Sequence, residues 1–158
     1  MSLRRPTMEV TDFGDSLQEL IDDLVDAMNH HAIAIGLAAP QIGSKWRVAV
    51  VNISPGKKDS PLILVNPTIV SLSGKKDRKN ESCMSLPHFQ GSVERRHKIM
   101  ITYQDRSGRP QTLTAAGFLT RVICHEIDHL DGKLYIDRMG NPNTLEPVDF
   151  FRSTIGDS

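Results

Sequence analysis

Two hydrophobic rhythms divide the chain. Across 16–31, "SLQELIDDLVDAMNHH", Leu17, Leu20, Ile21, Leu24, Val25 and Met28 recur three and four residues apart, which predicts a helix with one apolar stripe. Ser16 followed by Glu19 reads as a capping box at its start. The next stretch, "AIAIGLAAPQIG" at 32–43, is rich in small residues and weakly periodic, so it predicts an ordered loop. The rhythm then shortens. Residues 45–53, 61–72, 98–105 and 110–116 have the β-branched content and turn-bounded lengths of strands, and "DRSGRP" joins the last two as a hairpin. The helical period returns at 118–131, with Phe118, Val122, Ile123, Ile127 and Leu130 facing inward and Gly132 as its stop. The cluster "GKKDRKN" at 74–80 reads as a solvated loop, and the tail from Gly140 has no clear period.

Strands interrupted by few helices predict an α+β fold, with antiparallel or mixed sheets packed around the late helix and a second helix near the N-terminus. The chain has 158 residues, enough to bury a sizeable core, and shows neither an internal repeat nor a dividing linker. One domain over 1–158 is expected, with 1–3 as an expression remnant and 140–158 as a tail. Nineteen basic residues balance nineteen acidic ones, so no net field draws the chain to nucleic acid or to a membrane surface. No apolar run approaches the ~20 residues of a membrane span, and the start lacks the apolar stretch of a secretory signal. Only Cys83 and Cys124 are present, which argues against a disulfide scaffold and for a reducing, cytoplasmic setting.

The chemistry concentrates in "VICHEIDHLDG", 122–132. On a helix, His125 and His129 stack on one face and can bite one metal ion, while Glu126 sits beside them as a general base would. Asp128 and Asp131 are placed to orient an imidazole by accepting its second N–H. The competing reading is a polar, solvated helix end. A catalytic ion needs a third protein ligand, for which Cys83, Cys124 and Glu146 are the candidates. Cys124 points roughly 100° away from His125, alongside Ile123 and Ile127, and reads as core filler. Use of both cysteines would instead close a structural zinc site. Spacing alone leaves the role of Cys83 open.

Three segments in one order, "GLAAPQ" (36–41), "ESCMS" (81–85) and "CHEIDHLDG" (124–132), resemble the three motifs of the peptide deformylase family. The similarity runs on through "SVERRHKIMITYQDRSGR" and "GKLYIDRM", covering most of residues 5–139. The resemblance implies a hydrolase of protein biosynthesis and N-terminal processing, which releases formate from formyl-methionyl peptides. It implies that Cys83, His125 and His129 hold one divalent ion, ferrous iron or else zinc, nickel or cobalt, with a fourth position open to water. By the same resemblance Glu126 moves the proton, while the Gln41 side-chain amide and the Met84 backbone N–H stabilise the oxyanion. Gly36 would pair with an extended peptide, and Ile35, Phe118 and Val122 would form the methionine pocket.

The chain departs from the family pattern at Ala34, Ser82, Met84 and Cys124, which bears on turnover and substrate preference rather than on metal binding. It also starts late relative to the pattern, so the first strand is expected to be absent or rebuilt. Some family members dock on the ribosome through a basic C-terminal helix. Here "NTLEPVDFFRSTIGDS" holds one arginine against three acids, so at most a transient proximity to the ribosome is expected. The expected state is a monomer with a formyl-methionyl peptide as partner, and with no membrane or specific nucleic-acid partner. Three rivals remain: a catalytically weak relative that binds peptide N-termini, an endopeptidase using HExxH, and a structural zinc protein.

Overall fold

The computed structural model describes residues 3–30, 35–52, 61–83, 86–140 and 145–147. Ala34, Met84 and the tail beyond 147 lie outside the described residues. Helix α1, Asp15–His30, buries Leu17, Ile21, Leu24 and Met28, the stripe its spacing predicts. Its start differs by one residue from the expected box. The Gly14 carbonyl accepts from the N–H groups of Leu17 and Gln18 (3.1 and 3.2 Å), and Asp12 Oδ1 accepts from Gly14 N–H at 2.9 Å. Ser16 therefore lies inside the first turn rather than capping it.

Part of the expected loop is a strand. Gly36–Ala38 form β1, paired antiparallel with β2, Val48–Asn52, and a 3-10 turn follows at Ala39–Ile42. Three residues are too few to display a period of two, so only the partner strand reveals them. The sheet continues through β3 (Pro61–Cys83), β4 (Leu86–Gln104) and β5 (Pro110–Ala116) in chain order, and β6 (Glu146–Pro147) pairs with Phe89–Gln90 of β4. Among the described residues every strand pair is antiparallel rather than mixed, and an isolated Met8–Trp46 bridge is the sole parallel contact. The β4–β5 hairpin forms as expected, and Asp105 Oδ1 holds its turn by accepting from the backbone of Ser107 and Arg109 at 2.9 and 3.0 Å. By contrast, 74–80 is exposed as predicted but belongs to β3, paired with β4 rather than looped. Polar side chains on both faces erase the alternation from which a strand is read.

Helix α2 spans Phe118–Leu130 and ends at Gly132, whose φ of 76° favours glycine. A side chain there would also strike the Arg4 carbonyl at 2.4 Å, because the N-terminal segment crosses this helix end. Thr7 donates its backbone N–H and its hydroxyl to the Leu130 carbonyl at 2.9 and 2.7 Å. Val122, Ile123, Ile127 and Leu130 are buried as expected, but Phe118 is 41% exposed. Side chains on a helix lean toward its N-terminus, and a residue in the first position leans past the end of its own helix.

The two helices cover opposite faces of the sheet. In β2, Val48 and Val50 pack with α1, whereas Val51 joins the group around Ile123 and Ile127 of α2, and Ala49 meets Leu130. Covered on both sides, all four residues of "VAVV" are fully buried, which is why this strand reads as a continuous apolar run. Among the described residues no helix is long and apolar enough to cross a membrane.

Candidate metal centre and its buried charges

Strand β3 ends at Cys83 and α2 carries the histidine pair, so the centre forms where the end of the longest hairpin meets the helix. One ligand atom each from Cys83, His125 and His129 lies within 4.8 Å of the other two. Cys83 Sγ is 3.1 Å from His129 Nε2, and the two imidazoles meet edge to face with centroids 5.0 Å apart. Cys124 is buried among Ile123, Ile127 and Ile99, as its direction on the helix predicts. The competing picture of a solvated helix end does not hold, since Glu126, Asp128 and His129 are all buried.

Fit to a divalent ion can be judged from the donors themselves. A thiolate and two imidazoles suit zinc or ferrous iron. Burial works against a Cys83 thiolate, yet the adjacent His125 and His129 outweigh it and draw the thiol down to about 5. Burial likewise disfavours a charged His125, but its hydrogen bonds to Cys83 and Glu81 push it up to about 10. Three donors crowded around shared protons are the arrangement that a cation would relieve. The residues fit such an ion.

His125 Nδ1 donates to Glu81 Oε1 at 3.0 Å, which leaves Nε2 for the centre. Neither acid expected to orient an imidazole does so: Asp128 is taken up by arginines, and Asp131 pairs with Arg47 at 2.7 Å. Glu81 is instead clamped by Arg95, whose Nε and Nη2 donate to its two oxygens at 2.9 Å each, and by Arg121 at 2.6 Å. Burial raises the Glu81 pKa, but Arg95 and His125 outweigh it and hold the carboxyl at about 2. Arg95 reaches on to Asp128 at 2.7 Å, and Arg138 closes the chain on the other Asp128 oxygen at 2.9 Å. Arg121 also donates to the carbonyls of Val93 and Asp77, tying α2 to both strands of the hairpin. Glu81, Arg95, Arg121 and Arg138 went unassigned in the sequence reading. The available signal was Arg121, a charge one residue before the inward-facing Val122.

Glu126 is buried beside the centre, and its Oε2 has no hydrogen-bond partner among the described residues. Burial pushes its carboxyl up to about 7 against the pull of His125 and His129. Gly36 lies directly over it: a Cβ there would stand 2.9 Å from Glu126 Oε2. Gln41 accepts the Ala38 N–H on Oε1 at 2.9 Å, which turns its amide NH₂ toward Cys83 Sγ, 3.5 Å away. Ile35 and Val122 pack into one apolar group, and Phe118 stands half-exposed at the start of the helix. Met84 lies outside the described residues.

The sequence profile described as polypeptide deformylase matches residues 1–144. Peptide deformylase 2 of Gloeobacter violaceus is 40% identical over 146 residues, covering 92% of this chain and 78% of that protein. The peptide deformylase of Synechococcus elongatus, solved in complex with actinonin, superposes with a TM-score of 0.85 at 38% identity, over 90% of this chain and 77% of that one. That of Thermotoga maritima gives 0.81 at 32% identity, over 88% and 91%.

Proposed function

The chain belongs to the polypeptide deformylase family and hydrolyses N-formyl-methionyl peptides to formate and a free amino terminus, and from that premise we propose how its own residues divide the work. Family members are metalloenzymes, and we assign the ligands as Cys83, His125 and His129 and the ion as ferrous iron, with zinc, nickel or cobalt able to substitute. When bound, the ion supplies Lewis acidity that polarises the formyl carbonyl and lowers the pKa of water.

The observation that carries the residue roles is the convergence of those three donors beside a buried carboxylate with one unpartnered oxygen. Glu126 takes a proton from the attacking water on Oε2 and returns one to the leaving amine. A carboxyl raised toward neutrality by burial is suited to both transfers. The Gln41 amide, aimed by its bond to the Ala38 N–H, donates to the oxyanion. The Met84 backbone N–H is assigned as its second donor. The backbone of Gly36 pairs with the extended peptide, and the missing Cβ leaves room for a formyl group beside Glu126. Ile35, Val122 and the exposed Phe118 receive the methionine side chain. Glu81, held by Arg95 and Arg121, keeps the His125 ring in one tautomer. The enzyme is assigned as a cytoplasmic monomer of one domain.

The test pairs elemental analysis with formate release from a formyl-methionyl tripeptide, on protein purified without oxygen. Glu126→Ala should keep its metal and lose about 100- to 10,000-fold in turnover. Cys83→Ala should lose the metal, and Cys124→Ala should retain both metal and activity. Full activity in Glu126→Ala would overturn the base assignment; metal loss in Cys124→Ala would favour a closed structural site.

A further inference from the structure

A balanced total charge conceals a strong local imbalance. Between Ser73 and Lys98 the chain carries seven lysines and arginines and three acids, out of nineteen of each overall. Strand alternation sorts them. Glu81 and Arg95 turn inward to the centre, whereas 71–80 of β3 is exposed throughout and Glu94, Arg96 and Lys98 of β4 are exposed positions alternating with buried ones. The register sets Lys76 directly opposite Arg96, and Arg78 opposite Glu94.

Like charges facing each other across a ladder destabilise it. Among the described residues nothing relieves this pair. Lys75, Lys76, Arg96 and Lys98 make no ion pair among the described residues, and the one side-chain hydrogen bond of Arg96 goes to the Gly74 carbonyl at 3.1 Å. Glu94 serves Arg78 at 3.5 Å. A sequence that retains an uncompensated local conflict marks a place where something outside the chain resolves it.

We propose that the outer face of the β3–β4 hairpin is a docking surface for RNA, engaged through its phosphate backbone without regard to sequence. Cations two residues apart on a strand lie about 7 Å from one another, and those on facing strands about 5 Å, spacings that a chain of phosphates can bridge. On the exposed face the cationic rungs are flanked by Ser73, Asn80 and Ser92, and the one apolar residue across from a cation, Val93 opposite Lys79, is fully buried. A lipid surface would call for apolar groups among the cations, and here Val70, Leu72 and Met100 begin only on the rungs beyond. Among the described residues Lys76 and Arg96 make no hydrogen bond or ion pair to Cys83, His125, His129 or Glu126, so the surface is tested separately from hydrolysis.

Fluorescence anisotropy of a labelled 16-base-pair RNA duplex with the metal-loaded full chain tests this. Four phosphate contacts would make binding roughly 100-fold weaker at 200 mM than at 50 mM salt. The double variant Lys76→Glu with Arg96→Glu should bind at least tenfold more weakly at 50 mM salt, while formate release from the tripeptide stays unchanged and certifies the fold. Lys76→Gln with Arg96→Gln should move the same way by a smaller step, and Lys133→Glu, elsewhere on the surface, should leave binding as it is. Absence of binding at 50 mM salt, equal binding by the double variants, or equal affinity for phosphatidylserine vesicles would each overturn the assignment.

Discussion

Helices α1 and α2 have nearly the same pattern in sequence and opposite interiors. α1 buries four apolar side chains and leaves all its acids in water. α2 buries a comparable apolar stripe and, with it, Arg121, Glu126, Asp128 and His129. Charged side chains are almost never fully buried unless paired, and here Arg121 and Asp128 are fixed in the Glu81–Arg95–Arg138 network. Glu126 and the Nδ1 of His129 stay unpartnered among the described residues. The contrast separates two uses of a buried face: α1 supplies area, and α2 accepts unfavourable burial at two groups beside the candidate metal centre.

The comparison can be broken at three places. Arg95→Ala should have the largest effect, about 3–5 kcal/mol of stability, because it leaves Glu81 and Asp128 buried without their shared cation. Metal affinity should fall with it, through the His125 ring that Glu81 holds, so urea unfolding and metal titration should respond together. Leu24→Ala on α1 should cost about 2–5 kcal/mol in urea unfolding by opening a cavity in a fully buried position, with turnover per folded molecule unchanged. A change in turnover there would erase the distinction between the helices. Asp22→Ala removes only an exposed pair with Arg106 and should change the free energy of urea unfolding by less than about 0.5 kcal/mol.

Elements with one buried and one wet face are legible in the sequence. The α1 stripe, the β4–β5 hairpin and the Gly132 stop all appear within a residue or two of their expected places. Elements too short to show a period, or polar on both faces, are not. β1 is too short to show a period, and the outer half of β3 is polar on both faces, so each read as loop. At the site, residue types and order pointed to Cys83, His125, His129 and Glu126, whereas the partners of these groups did not follow. Asp128 and Asp131 were the near neighbours in sequence, yet Glu81, forty-four positions before His125, is the carboxylate that reaches its ring.

The sequence by itself determined the helical and strand rhythms, the candidate donors of one thiol and two imidazoles, and the family to which that order belongs. The tertiary structure alone decided which carboxylate holds His125, which arginines hold that carboxylate, and which cations are left facing one another on the outer hairpin. Local periodicity is written into neighbouring residues through backbone geometry, whereas pairing across a ladder depends on register, and register is set only when distant segments bury their faces together.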